Sequence, residues 1–265
     1  GKNDWKNNLA VFEKPKSSVA ESFRALRSNI QFLFKAETET ASKTLLLTSS
    51  VSGEGKTMIS INMASAFALT GKKTVLIGLD LRKPKIFDDF KLDNDLGVVN
   101  YLIGQEDIKN IIHNTKVPNL DLILSGPIPP NPSELLLSEK ADKMFSYLKK
   151  EYDYVIIDTP PVGLVSDALE LFKYSDAIIY VIRQNYSERG MMKMIDDKYK
   201  AKEVKNISYV LNGYSASNKY GYGYGYGYGY GYGGYGKYGG YHDNEETKAS
   251  WLKKLLKLII PSKTE

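Results

Sequence analysis

Two glycines, a lysine and a threonine fall within five positions of one another in the run TSSVSGEGKT, residues 48–57. Those residue types in that order suit a polyphosphate. Gly53 and Gly55 let backbone N–H groups turn inward around an anion, and the N-terminus of a following helix adds partial positive charge. Lys56 would neutralise the β- and γ-phosphates, and the Thr57 hydroxyl would sit on Mg²⁺. Two carboxylates complete the set. Asp80 and Asp158 each close an apolar run, TVLIGL (74–79) and YVII (154–157). A buried strand ending in an acid delivers that acid to the metal side of a phosphate loop. The plainer readings are a glycine turn joining any strand to any helix, and a turn residue at Asp80. Lys56, Thr57, Asp80 and Asp158 converge from three strand ends, and that convergence favours the phosphate site. The usual pattern has glycine at position 50, where this chain has Ser50.

The elements around these residues read as alternating strands and helices. Residues 44–48 are short, apolar and β-rich. From Lys56 the apolar positions Met58, Ile61, Ala64 and Ala68 recur at helical spacing, and Gly71 stops the helix. Residues 74–79, 120–124, 154–158, 177–182 and 207–211 read as five further strands, giving six in all. Helices are expected at 17–35, 134–150, 164–174 and 187–202, with Ser133 capping the second of these and short helical pieces near 98–103 and 108–113. Strands apolar throughout, alternating with helices, imply a mostly parallel sheet covered on both faces, with ligand beyond the strand C-termini. In the 17–35 helix, Val19, Phe23, Leu26, Ile30 and Leu33 form one stripe and Ser17 or Ser18 caps it. Glu21, Arg24 and Arg27 lie on an adjacent face. Spacing alone favours an intrahelical ion-pair ladder over a subunit contact.

Composition excludes several classes. The chain has 265 residues and no cysteine, so disulfides and thiolate metal sites are excluded. Its net charge is +5, with the lysines too dispersed for a nucleic-acid stripe. His113 and His242 are far apart and read as surface residues. No apolar run is long enough to span a bilayer. Gly1 in place of an initiator methionine suggests a piece of a longer chain whose upstream part could be membrane-embedded. Residues 1–16 are polar, broken by Pro15, and read as a linker.

The composition changes abruptly after Gly213. Segment 220–241 alternates tyrosine with glycine and holds ten of the 20 tyrosines. Lacking aliphatic residues, it cannot build a core and reads as a flexible coil, roughly 25 Å in root-mean-square span. It is either a sticky low-complexity linker or an array of accessible phenols tethered beside a nucleotide site. Residues 250–260, SWLKKLLKLII, form an amphipathic pattern with Lys253, Lys254 and Lys257 on one arc, which suits an anionic membrane surface or a protein groove equally.

With these residues in hand, the chain resembles bacterial tyrosine autokinases, the cytoplasmic domains of capsule and exopolysaccharide co-polymerases, over about residues 17–241. ESFRALR (21–27) looks like the family's Glu-x-x-Arg-x-x-Arg helix. TSSVSGEGKT looks like its Walker A motif, with Ser52 where proline is usual, and GLDLRKP (78–84) like its Walker A′. SGPIPPNPSELL (125–136) and YDYVIIDTPPVGLVSDA (152–168) match later motifs. The resemblance implies a P-loop NTPase-like α/β kinase domain over 17–213, preceded by a juxtamembrane linker and followed by a tyrosine-rich tail (214–242) and a basic amphipathic helix (243–265). It implies ATP and Mg²⁺ as cofactors. Nucleotide contacts would come from Ser52, Gly53, Glu54, Gly55, Lys56, Thr57, Met58 and Arg82, with Asn212 near adenine. Thr57, Asp80 and Asp158 would serve the metal, and Lys56, Asp80 and Asp158 catalysis. The phosphoacceptors would be Tyr220, Tyr222, Tyr224, Tyr226, Tyr228, Tyr230, Tyr232, Tyr235, Tyr238 and Tyr241. Glu21, Arg24 and Arg27 become contacts of a homo-oligomeric ring in which one subunit's tail enters a neighbour's site. Implied partners are a membrane-embedded co-polymerase segment and a cognate tyrosine phosphatase, not nucleic acid, at the cytoplasmic face of the bacterial inner membrane. One departure bears on mechanism. The family's Walker A′ has two acids, and here Gly78 stands at the first. Either Asp80 takes both tasks, or a loose transition state needs no base. Two other readings compete: a MinD/ParA-like ATPase switch, which places a signature lysine where this chain has Val51, and a catalytically dead scaffold.

Overall fold

The computed structural model describes residues 8–34, 42–163 and 167–215. All lie in one unit, Gly1–Ala216. The tyrosine-rich segment and the helix read at 250–260 fall outside the described residues.

The chain begins with α1 (Ala10–Glu13) and α2 (Ser18–Gln31), then β1 (Lys43–Ser49), α3 (Lys56–Ala68) and β2 (Thr74–Gly78). Short helices α4 (Ile86–Phe90) and α5 (Val98–Leu102) lead to β3 (Ile112–Asn114) and β4 (Leu120–Ile123). Next come α6 (Pro132–Leu136), α7 (Glu139–Glu151), β5 (Tyr154–Asp158), α8 (Asp167–Glu170), β6 (Ala177–Arg183), α9 (Arg189–Lys200) and β7 (Ile207–Asn212). The seven strands lie in the order β3-β4-β2-β5-β1-β6-β7, parallel except for the antiparallel β3–β4 pair.

Strand alternation divides the core in two. Leu45, Leu47, Leu76, Ile156, Ile179 and Val181 face one side and pack with Val11, Phe23, Ile61 and Phe67 of α1–α3. Leu46, Val75, Ile77, Val155, Ile157, Ile178 and Tyr180 face the other and meet Val98, Leu102, Phe145, Leu148 and Ile195. Both faces of a parallel strand are covered, so its sequence is apolar without a break. Each fully buried Leu or Ile contributes about 1.5–3 kcal/mol, which outweighs the weak helical bias of the short connecting pieces.

Register sets the functional edge. β5 lies between β1 and β2, and Asp158 aligns with Leu47 on one side and Gly78 on the other. The loop leaving β1, the acid ending β5 and the turn leaving β2 therefore share one edge of the sheet.

Several boundaries differ from the sequence reading. The sheet has a seventh strand, since residues 112–114 leave a 3₁₀ turn at Ile108–Ile111 and pair with β4 rather than continuing as helix. His113 is half-buried on the edge strand, with Nε2 3.4 Å from the Leu96 carbonyl. The expected 134–150 helix is two helices. Ser138 ends the first by bonding the Leu135 carbonyl at 2.7 Å, and its hydroxyl also accepts from the Ala141 N–H to cap the second. Ser17 caps α2, accepting from the Ala20 N–H at 3.1 Å. The expected 164–174 helix is α8 followed by a 3₁₀ turn, Leu171–Tyr174, with 164–166 outside the described residues. Among the described residues no helix is long and apolar enough to cross a membrane.

The linker reading of 1–16 is corrected over residues 9–13. Leu9, Ala10 and Val11 are buried, because a short apolar run hidden in a polar stretch seats on α3. Asn62 of α3 holds it. Its Oδ1 accepts from the Val11 N–H at 2.8 Å, and its Nδ2 donates to the carbonyls of Asn8 and Met58. Asn62 is 0% exposed, so Asn62→Ala leaves buried backbone groups unpaired. The expected loss is about 1–3 kcal/mol in the unfolding free energy, read from urea melts; an unchanged midpoint would show that the seat on α3 contributes nothing.

Candidate active site

The loop from β1 to α3 turns at two left-handed glycines, Gly53 (φ 92°) and Gly55 (φ 90°). Ser50 is not among the residues with positive φ, so the absence of glycine there carries no strain. Its side chain is buried instead, with Oγ 2.9 Å from the Tyr180 hydroxyl.

Lys56 opens α3 and is only 8% exposed. Its Nζ lies 3.4 Å from Asp158 Oδ1. Asp158 is 2% exposed and fully engaged by α3: Ser60 Oγ donates to Oδ1 at 2.9 Å and Thr57 Oγ1 to Oδ2 at 2.9 Å. A buried carboxylate needs such partners, since an isolated buried charge would neutralise. Across the edge, Asp80 Oδ1 accepts from the backbone N–H groups of Lys83 at 3.0 Å and Arg82 at 3.3 Å. Burial pushes the Asp80 carboxyl above its ordinary value, and the Asp158 charge adds to this, while the two amides and Lys56 pull the other way. Arg82, Lys83 and Lys85 are exposed at the rim. Lys56, Thr57, Asp80, Asp158 and the three rim cations line a cleft of about 460 Å³ that also takes in Met58 and Ser125.

The residues fit a magnesium nucleotide. Two carboxylates and a hydroxyl form a hard oxygen set of the kind Mg²⁺ takes, and a buried lysine at a helix N-terminus suits phosphate. Gly78 stands where the resemblance expects an acid, and the fit around it is tight. A Cβ there would come within 3.2 Å of Ile86 Cδ1 and 3.4 Å of Ser125 Oγ, whose hydroxyl donates to the Gly78 carbonyl.

The structure brings Ser52–Met58, Asp80, Arg82 and Asp158 together on that cleft. The Glu54 side chain turns away from it. Its carboxylate is buried, accepts from the Val51 N–H at 2.9 Å and meets Ser187 Oγ. Asn212 lies against the loop, donating from Nδ2 to the Glu54 carbonyl at 2.8 Å. Glu21 and Arg24 form the ion pair that helical spacing predicts, 2.6 Å apart, and Arg24 also reaches the Pro15 carbonyl. Arg27 instead donates to the Ala66 carbonyl at the C-terminal end of α3, where the helix dipole favours a cation. Arg183, Tyr186 and Ser187 escaped the sequence reading. They contact residues more than 120 positions away; the one available signal was their place at the C-terminal end of a parallel strand.

A family model described as an AAA domain matches residues 42–209. The tyrosine-protein kinase YwqD of Bacillus subtilis is 34% identical over 216 residues, covering 81% of this chain and 90% of that protein. The chain belongs to the bacterial tyrosine-protein kinase family. The tyrosine-protein kinase CpsD of Streptococcus agalactiae serotype III is 41% identical over 180 residues, 66% of this chain and 75% of that one. The solved kinase domain of the Escherichia coli tyrosine kinase ETK superposes with a TM-score of 0.74 at 30% identity, covering 83% of this kinase and 85% of that chain.

In this kinase the raised Asp80 carboxyl carries a pH signature. Such a group favours the fold below its ordinary value of 3.8 and opposes it as the pH rises through the folded value. Asp80→Asn retains an acceptor for the two amides and removes the charge. Without nucleotide or metal, the variant is expected to melt higher than the parent at pH 7, with the gap closing toward pH 3.8. A parent that melts higher at pH 7 contradicts the assignment.

Proposed function

We propose that this kinase transfers the γ-phosphoryl group of ATP to the tyrosines of its own tail, Tyr220 through Tyr241, within a homo-oligomeric ring. One observation carries the reading: Lys56, Thr57, Asp158 and Asp80 occupy a single sheet edge beside a glycine loop. In this reading the loop N–H groups and Lys56 bind the β- and γ-phosphates and offset charge as it develops. Thr57, Asp158 and Asp80 would hold Mg²⁺, which when bound would supply positive charge beside the phosphates. The phenol oxygen bonds to the γ-phosphorus as the bond to the ADP oxygen breaks, with the attack in line.

Asp80 is the group that takes the phenol proton. Asp158 has both oxygens committed to α3, whereas the described hydrogen bonds of Asp80 fall on Oδ1 alone. The tail supplies phenols at high local concentration, and the Glu21–Arg24–Arg27 face supplies the contact between neighbours. Resemblance supports the setting: the cytoplasmic face of the bacterial inner membrane, beside a membrane-embedded co-polymerase, with a tyrosine phosphatase resetting the tail and polysaccharide export as the process regulated. The tyrosine array and Val51 at the position of a MinD-type signature lysine weigh against a membrane ATPase switch.

Incubation with Mg-ATP followed by intact-mass measurement tests the reading. Mass added in steps of one phosphate is the expected result; ADP release without mass gain would identify a switch, and neither a scaffold. Lys56→Met should lower tail labelling about 100-fold or more. Each phosphotyrosine brings about −1.5 to −2 charges, so ten take the +5 chain to about −10 to −15. The ring should then dissociate, seen as a fall in sedimenting mass; an intact ring on a fully phosphorylated chain refutes the charge mechanism.

A further inference from the structure

Three consecutive carbonyls of the phosphate loop are each gripped from behind. Tyr186 donates its hydroxyl to the Ser52 carbonyl at 2.8 Å, Arg183 Nη1 donates to the Gly53 carbonyl at 2.8 Å, and Asn212 Nδ2 donates to that of Glu54 at 2.8 Å. A trans peptide unit is planar, with C=O and N–H on opposite sides. Fixing the carbonyls of 52, 53 and 54 away from the cleft therefore fixes the amides of 53, 54 and 55 toward it. We infer that Arg183, the last residue of β6, and Tyr186, in the turn after it, are positioning residues that aim the loop amides at the nucleotide phosphates.

The grip is built in depth. The Arg183 guanidinium lies over the Tyr186 ring, 5.4 Å from its centroid, and the Arg183 N–H donates to Ser187 Oγ at 2.8 Å. Ser187 in turn meets the Glu54 carboxylate that holds the Val51 amide, so the same turn braces both ends of the loop. The two glycines acquire a second reason. A Cβ on Gly53 would stand 2.7 Å from the Tyr186 hydroxyl, and one on Gly55 would overlap the Asn212 amide. Glycine here serves the left-handed backbone and also lets the gripping side chains approach.

This inference rests on the loop holding a nucleotide, and the test separates the two. Affinities for Mg-ADP and for AMP are measured by displacement of a fluorescent nucleotide from the full chain, alongside melting without ligand. Tyr186→Phe keeps the ring and loses one hydrogen bond, and should weaken Mg-ADP about 3- to 10-fold. Arg183→Met loses a charged donor and should weaken it about 10- to 100-fold, with Arg183→Lys recovering part. AMP, lacking the phosphates that these amides would hold, should lose little, and ligand-free melting should hardly move. A parent chain that fails to bind Mg-ADP overturns the functional reading and the inference with it. A parent that binds, with variants that bind equally well or lose ADP and AMP alike, overturns the inference alone.

Discussion

The site depends on keeping one carboxylate charged inside the protein. Asp158 sits almost fully buried at the end of a central strand, where desolvation alone would cost several kcal/mol. Three residues from the first turns of α3 offset that cost, with Lys56 supplying the charge and Thr57 and Ser60 the hydroxyls. The constraint runs both ways. α3 starts where it does because the loop delivers Lys56 to Asp158, and β5 must lie next to β1 for the acid to meet the helix that β1 feeds. The sheet order β2-β5-β1 sets the acid beside the helix that β1 feeds. A phosphate and a cation entering the cleft would meet groups already held, with little reorganisation left to supply.

What could be read from the residues follows from range. β1, β2, β5 and β6 were legible because continuous apolar runs leave no alternative to burial on both faces, and the phosphate loop because its chemistry is contiguous. The capping of α2 by Ser17 was legible as a choice between two serines. The break at Leu137–Ser138 was not, since the pattern on either side is helical and only the Ser138 hydroxyl decides it. β3 is three residues long and exists through its pairing with β4, which no local signal carries. The seat of residues 9–11 on α3 depends on Asn62, a polar residue in a helix whose packing positions read as apolar.

Two of the departures from the expected motifs, Ser50 and Gly78, have different physical standing. Ser50 is neutral, because its backbone does not need glycine and its hydroxyl finds Tyr180 in the core. Gly78 leaves an acid out of the cleft, and a Cβ there would crowd Ile86 and Ser125 at 3.2 and 3.4 Å. Asp80, the acid that this stretch retains, is held by two amides of its own turn.

Seen from β1, the site divides cleanly by side. The strands to one side, β5 and β2, bring the acids; those to the other, β6 and β7, bring Arg183, Tyr186 and Asn212 to the back of the loop. Gln184 extends the second group. Its N–H donates to the Asn212 carbonyl at 3.0 Å, and its side-chain oxygen accepts from the Ser215 N–H at 2.6 Å. The turn that grips the phosphate loop is thus the turn that fastens the last described residues before the tyrosine-rich segment.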